Sequence, residues 1–202
     1  HREGYCPHPN AAEIPSSEVM MRQALLLAPL LLANHALAAP WSVDPASSKL
    51  IFHAEQSGEK FSGSFPKFNS EIDFDETAPE KGRIHITVDT ATFTIDGSDR
   101  TESFPTSDWF AVKQFPTAEF TSAAIKKTGE HQFIANGNLT IRGVNNPAAL
   151  PFTLKTTGKF TIATGELTIN RNNYGVGQGR WATDEWIKSP VRITYEVHAI
   201  QQ

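Results

Sequence analysis

Asp96, Asp99, Arg100, Ser107 and Asp108 lie close together in the one long stretch of the chain without a strand pattern, residues 96–115. Carboxylates beside an arginine and a serine are groups a small hydrolase would use. The set lacks the rest of that machinery: the stretch holds no histidine, and no Gly-x-Ser-x-Gly elbow occurs in the chain. Aspartate and serine also serve turns and helix caps, and Ser107 could cap a short helical turn over 108–113. His53, His85, His131 and His198 are widely separated and show no metal-ligand spacing. A cation with a more definite place is Arg171, where an apolar strand pattern gives way to a polar rim. After it, Tyr174, Gly175, Gly177, Gly179, Trp181 and Trp186 form a corner of alternate glycines and large rings, suited to the mouth of a barrel.

The elements that must carry these groups are strands. Leu167 and Ile169 lead into the corner, and Val191, Ile193, Tyr195 and Val197 leave it with a period of two. Upstream, Trp41–Asp44 reads as an entry strand with Trp41 as an end plug. Leu50, Phe52 and Ala54 and then Phe61, Gly63 and Phe65 alternate around Ser57-Gly58, which predicts a hairpin. Phe68, Ile72 and Phe74 mark a strand with an irregularity near Asn69, because the spacing passes over Ser70. Ile84, Ile86 and Val88 open a strand expected to run on through Ile95.

Further strands are predicted around Ala118 and Phe120, over Phe133–Ile141, around Leu150, Phe152 and Leu154, and at Phe160 and Ile162. Gly129, Gly143, Gly158 and Gly165 punctuate them. No long amphipathic helix is evident. The fold expected is therefore all-β, a lipocalin-like antiparallel barrel of about eight strands with one short helical segment, and a two-sheet sandwich is the rival. The 13 phenylalanines could line a hollow suited to a chain-like hydrocarbon or pack on one another as a core. Trp109, Phe110 and Phe115 must be buried, either as a lid over a barrel opening or as a segment crossing its outside.

Met20, Met21 and Arg22 open an apolar run ending in small residues, read as a signal peptide over 20–38 cleaved after Ala38. Residues 1–19 are read as a mis-started upstream segment; they contain Cys6, so the exported chain would have no cysteine. Without Arg2, Arg22, Glu3, Glu13 and Glu18 the exported part keeps 16 basic and 19 acidic residues, a net charge of about −3. That balance gives no nucleic-acid surface.

The strings WSVDPASSKLIF, IDFDETAPEKGRIHITVDTATF, SDWFAVKQFPTAEFTS, GNLTIRGV and INRNNYGVGQGRW together resemble the YceI-like family of exported, polyisoprenoid-binding bacterial proteins. The forms DWF, FPTAEF and GVGQG look most like the subgroup found alone or joined to cytochrome b561 membrane domains. After Arg100 the chain has TESFPTSDW, with a proline where members often have a charged, Leu-containing run, so a shorter local helix is expected.

The resemblance implies an apolar central tunnel holding an isoprenoid chain, a polyprenyl phosphate or a quinone tail, in a periplasmic carrier that is not an enzyme and needs no cofactor or metal. The tail would lie among Phe52, Phe65, Trp109, Phe110, Phe120, Phe152, Ile169 and Tyr174. The head group would sit at a mouth formed by Arg171, Arg142, Gly175, Gly177 and Trp181. A cytochrome b561-type membrane protein and a homodimer are the partners the family suggests.

Overall fold

Alternating apolar and polar residues, with β-branched and aromatic side chains at the apolar positions, build ten strands: β1 (Pro40–Gln56), β2 (Glu59–Ser64), β3 (Phe68–Asp73), β4 (Arg83–Asp89), β5 (Thr94–Ile95), β6 (Thr117–Gly129), β7 (Gln132–Ile141), β8 (Val144–Thr157), β9 (Phe160–Asn170) and β10 (Pro190–Gln201). The computed structural model describes residues 40–96 and 101–202. The predicted signal peptide and upstream segment, and with them Asp99 and Arg100, lie outside the described residues. Among the described residues no helix is long and apolar enough to cross a membrane.

All the pairings between strands are antiparallel, in the order β10-β9-β8-β7-β6-β4-β3-β1-β2-β5, and β10 also pairs with β1. That last ladder closes eight strands into a barrel and leaves β2 and β5 as an extension of one edge. β1 makes the closure possible by changing partners. Its first two residues pair with β3, at Pro40↔Asp73 and Trp41↔Ile72, while Ile51–Gln56 pairs with β2. Along its other side it stays on β10 throughout, apart from a register shift between Asp44 and Lys49. The rest of β3, Phe68 to Glu71, therefore has no strand neighbour on the β1 side among the described pairings.

Four local expectations need correction. The two strands expected at 41–44 and 49–54 are one, bulged where the Asp44 carboxylate accepts hydrogen bonds from Ala46 N (3.0 Å) and Ser47 Oγ (2.6 Å). The strand expected to continue through Ile95 stops at Asp89, whose carboxylate caps a 3₁₀ turn at Ala91 N (3.0 Å). Buried Thr90 then donates to the carbonyls of Phe115 and Pro116. The helical turn expected over 108–113 is a run of hydrogen-bonded turns instead, with Trp109 N and Ala111 N both donating to Thr106 O.

Gly165, expected as a break, lies inside a continuous β9 opposite Tyr195. A Cβ at Gly165 would overlap the Pro151 carbonyl and the Tyr195 ring. The missing side chain is what lets the Tyr195 phenol cross β9 and donate to Pro151 O on β8.

Candidate functional site

Two aromatic clusters close the barrel at different heights. At one end Phe74, Phe133 and Phe152 pack ring on ring with centroids 5.0–5.6 Å apart, and Trp41 Nε1 donates to Phe74 O at 2.8 Å. At the other, Phe52 meets Phe61, Phe65 and Phe104, and Phe104 stacks on Trp109 at 5.1 Å with the planes 4° apart. Between them is a cavity of about 170 Å³ with a lining that is almost wholly apolar. An engineered apolar void of about 150 Å³ stays dry and takes up small hydrocarbons, so this space suits an apolar guest better than water. The phenylalanines thus do both jobs weighed from the sequence: some fill one end, others wall a hollow.

Phe52, Phe65, Trp109, Phe110, Phe120 and Ile169 border this cavity, together with Leu50, Leu139 and Ile193. Phe152 does not. It belongs to the filled end and borders a second, smaller cavity of about 70 Å³. Ile86, Leu150 and Tyr195 line both and stand between them. Tyr174 is also displaced from its expected place: the 3₁₀ turn Arg171–Tyr174 buries it in the cluster of Trp109 and Val176, outside the cavity lining. Burial pushes its phenol above the usual tyrosine range.

The segment after β5 lies over the open end as a plug carrying Phe104, Trp109 and Phe110, which answers the lid question. It is fastened from two sides. Gly177 N and Gln178 N both donate to Asp108 O at 2.8 Å. Arg142, on the Arg142-Gly143 turn between β7 and β8, donates from Nη1 to Ser107 O and Trp109 O, each at 2.6 Å. Arg142 therefore clamps the plug, and its guanidinium carbon lies 6.0 Å from the Phe115 ring centre.

Arg171 was expected to meet a head group at the mouth; it is instead 2 % exposed. Its Nε donates to Lys188 O (3.1 Å), Nη1 to Val176 O (2.8 Å) and Gly177 O (3.4 Å), and Nη2 to Ile187 O (2.7 Å), Trp181 O (2.6 Å) and Thr183 O (3.4 Å). The planar fork ties the glycine-rich corner to the segment leading into β10, and its donors are all engaged by backbone. Among the described residues no carboxylate forms an ion pair with it. Burial lowers its pKa from the ordinary arginine value, yet it stays cationic at neutral pH. Its guanidinium carbon lies 5.9 Å from the Trp109 ring centre.

Gly177, Gly175 and Trp181 were expected as head-group contacts; here they serve the same corner. Trp181 packs 5.8 Å from Trp109 and carries Arg180 4.4 Å over its ring. Gly177 has φ +84°, and a Cβ there would run into the Arg171 guanidinium. Gly177→Ala should cost about 2–4 kcal/mol in urea unfolding, from left-handed strain plus loss of Arg171 bonds. Gly175→Ala, also left-handed at φ +68° but with its nearest neighbour 3.3 Å away, should cost about 1 kcal/mol. Equal losses from the two would show that Arg171 does not set the difference.

Of the acids in the hydrolase grouping, Asp96 and Asp108 are among the described residues. Asp96 accepts from Ser62 Oγ at 2.7 Å, and Asp108 uses its main-chain carbonyl to hold the glycine corner. Among the described residues no three His, Cys, Asp or Glu side chains are placed to share a metal ion. The lining residue that sequence reasoning passed over is Ser70. Phe68, Ser70 and Ile72 all face inward in unbroken register with Val88, Ile86 and Ile84, so the suspected irregularity is a serine at a lumen position. Strict alternation from Phe68 was the available signal.

Residues 41–199 match the YceI-like domain. A UPF0312 protein of Pseudomonas putida is 28 % identical over 176 residues, covering 81 % of this chain and 90 % of its own length. Another, from Photorhabdus laumondii, is 33 % identical over 133 residues, covering 64 % and 69 % respectively. Among solved structures, BcnA of Burkholderia cenocepacia superposes with a TM-score of 0.75 at 29 % identity, over 78 % of this chain and 99 % of that one. A polyisoprenoid-binding domain from Saccharophagus degradans, implicated in plant cell wall breakdown, gives a TM-score of 0.62 at 13 % identity, over 82 % and 99 %. The last likeness is one of fold.

Proposed function

The chain belongs to the YceI-like family, and from that premise we propose that it is a periplasmic binding and carrier protein for an isoprenoid lipid, its tail held in the barrel. The observation that carries the reading is the apolar cavity of about 170 Å³ under the aromatic plug. A self-filled barrel would have no use for a plug fastened by Arg142 and the glycine corner. The shared fold with a polyisoprenoid-binding domain supports the same ligand class.

The electrostatics narrow the head group. Arg171, the arginine that borders the cavity, has its donors on carbonyls, and a desolvated phosphate without a cation is very costly. The head group of a quinone-type or alcohol-type isoprenoid can enter this lumen without a countercharge, whereas a polyprenyl phosphate would keep its anion in solvent. The resemblance also suggests docking on a separate cytochrome b561-type membrane protein, and a pull-down from solubilised membranes tests that association.

Protein extracted gently from its own compartment should carry an isoprenoid-sized mass in native mass spectrometry. Added short-tailed ubiquinone should raise the melting temperature: at a hundred times Kd the linkage is about 2.7 kcal/mol, or roughly 5–10 °C for a domain of this size. A barrel that retains no such mass and does not shift with ubiquinone or polyprenyl phosphate is not a carrier of these lipids.

A further inference from the structure

We propose that Ser70 is the polar anchor of the lumen, its hydroxyl forming a hydrogen bond with a neutral oxygen, a carbonyl or a hydroxyl, borne by the bound apolar chain. The proposal rests on the carrier reading and adds the chemistry of the recognised group.

Apart from the indole of Trp109, six residues bordering the main cavity have polar side chains: Lys49, Ser70, Thr90, Glu119, Arg171 and Tyr195. Three have their donors engaged inside the protein: Thr90 on Phe115 O and Pro116 O, Arg171 on the corner carbonyls, and Tyr195 on Pro151 O. Lys49 and Glu119 are exposed residues, and Glu119 accepts from Thr117 Oγ1. Ser70 is different. Its Oγ is shut off from solvent, and among the described residues it is the buried side-chain polar atom without a hydrogen-bond partner.

Buried polar groups are almost always paired, and an unpaired one raises the free energy of the folded state. An alanine would fit the position without that penalty. The Ser70 hydroxyl lies just beneath the cavity lining, and where a guest's oxygen presses against that wall the rotating O–H can either donate to a carbonyl or accept from an alcohol. The same surroundings exclude an anion, because a serine cannot offset the desolvation of a charge among phenylalanine and leucine side chains. Ser70 also sits on the part of β3 that has left β1: it pairs with Ile86 of β4 on one side and, among the described pairings, has no strand on the other.

The test compares three probes on the full protein by tryptophan fluorescence titration: short-tailed ubiquinone, geranylgeraniol, and the hydrocarbon phytane. Ser70→Ala is expected to weaken the quinone and the alcohol about tenfold, the scale of one buried hydrogen bond, and to leave phytane within about twofold. The empty Ser70→Ala protein should melt a few degrees higher, since an unpaired buried group has been removed. Ser70→Thr, which keeps the hydroxyl, should restore the preference for oxygenated probes. A purely structural serine would change the melting temperature without separating the probes.

Equal affinity of Ser70→Ala and wild type for ubiquinone and geranylgeraniol overturns the anchor while leaving the carrier intact. An equal loss for all three probes also overturns it. Failure of the wild-type protein to bind any of the three removes the carrier reading itself.

Discussion

Arg171→Met should lower stability by about 3–5 kcal/mol in urea unfolding and bring the melting temperature down by roughly 8–16 °C. The carbonyls of Val176, Gly177, Trp181, Thr183, Ile187 and Lys188 all accept from this one guanidinium. A buried carbonyl left unpaired costs about 1–3 kcal/mol, and the estimate stays below the full sum because a surface corner can open to water. Arg171→Lys separates the fork from the charge. An ammonium has three donors on a single nitrogen and cannot span carbonyls from Val176 to Lys188, so lysine should recover less than half of the loss. The near-ultraviolet dichroism of the Trp109–Trp181 pair, 5.8 Å apart, should collapse in both variants. A melting temperature within 2 °C of wild type would mean that the corner is held by something else.

Ala118→Phe should abolish lipid retention while the fold survives. Ala118 is half-buried on β6, borders the main cavity and packs against the cluster of Phe52, Phe104 and Trp109. A benzyl group there occupies space that the guest needs. Displacing one isoprene unit, five carbons at about 0.8 kcal/mol each, removes about 4 kcal/mol, so the loss in affinity is a hundredfold to about a thousandfold. Filling a void tends to stabilise or to be neutral, so the melting temperature of the empty protein should hold or rise. Titration with geranylgeraniol checks the first outcome and a thermal scan the second. Undiminished binding would place the lipid outside the barrel.

The contrast between these two positions shows where sequence is informative. Strand alternation tells which side of a wall a residue faces, so Phe52, Phe65, Phe120 and Phe152 were all recognisable as inward. It does not tell height along the axis, which is why Phe152, packed with Phe74 and Phe133 at the filled end, could not be told from Phe52 beside the hollow. Height depends on the shear of the closed sheet, and that is set by ladders such as the β1–β10 closure, which joins Trp41 to Gln201 and His53 to Arg192.

Arg171 was misread for a related reason. Its partners are backbone oxygens, which every residue has, so nothing in the side-chain sequence reports that six of them converge. The glycine at 177 was the visible trace of that convergence, read as a bend when its main constraint is the guanidinium beside it. Ser70 was legible as a departure from apolar alternation, but a departure on a strand is as easily a slip in register as a polar group in a lumen. Only the continuous β3–β4 pairing distinguishes the two.

Tyr195 gives the interior a fixed floor. Its hydroxyl is held by Pro151 and its ring lies where Gly165 has no side chain, so it cannot swing aside without breaking that bond. Desolvation raises its pKa far above neutrality, and the barrier therefore does not switch with acidity. With Ile86 and Leu150 it sets a maximum depth for anything that enters: a tail longer than the upper chamber must double back or leave its surplus protruding past the rings of the plug. A guest held in the barrel would thus be gauged by length, according to how much of it can be hidden above that floor.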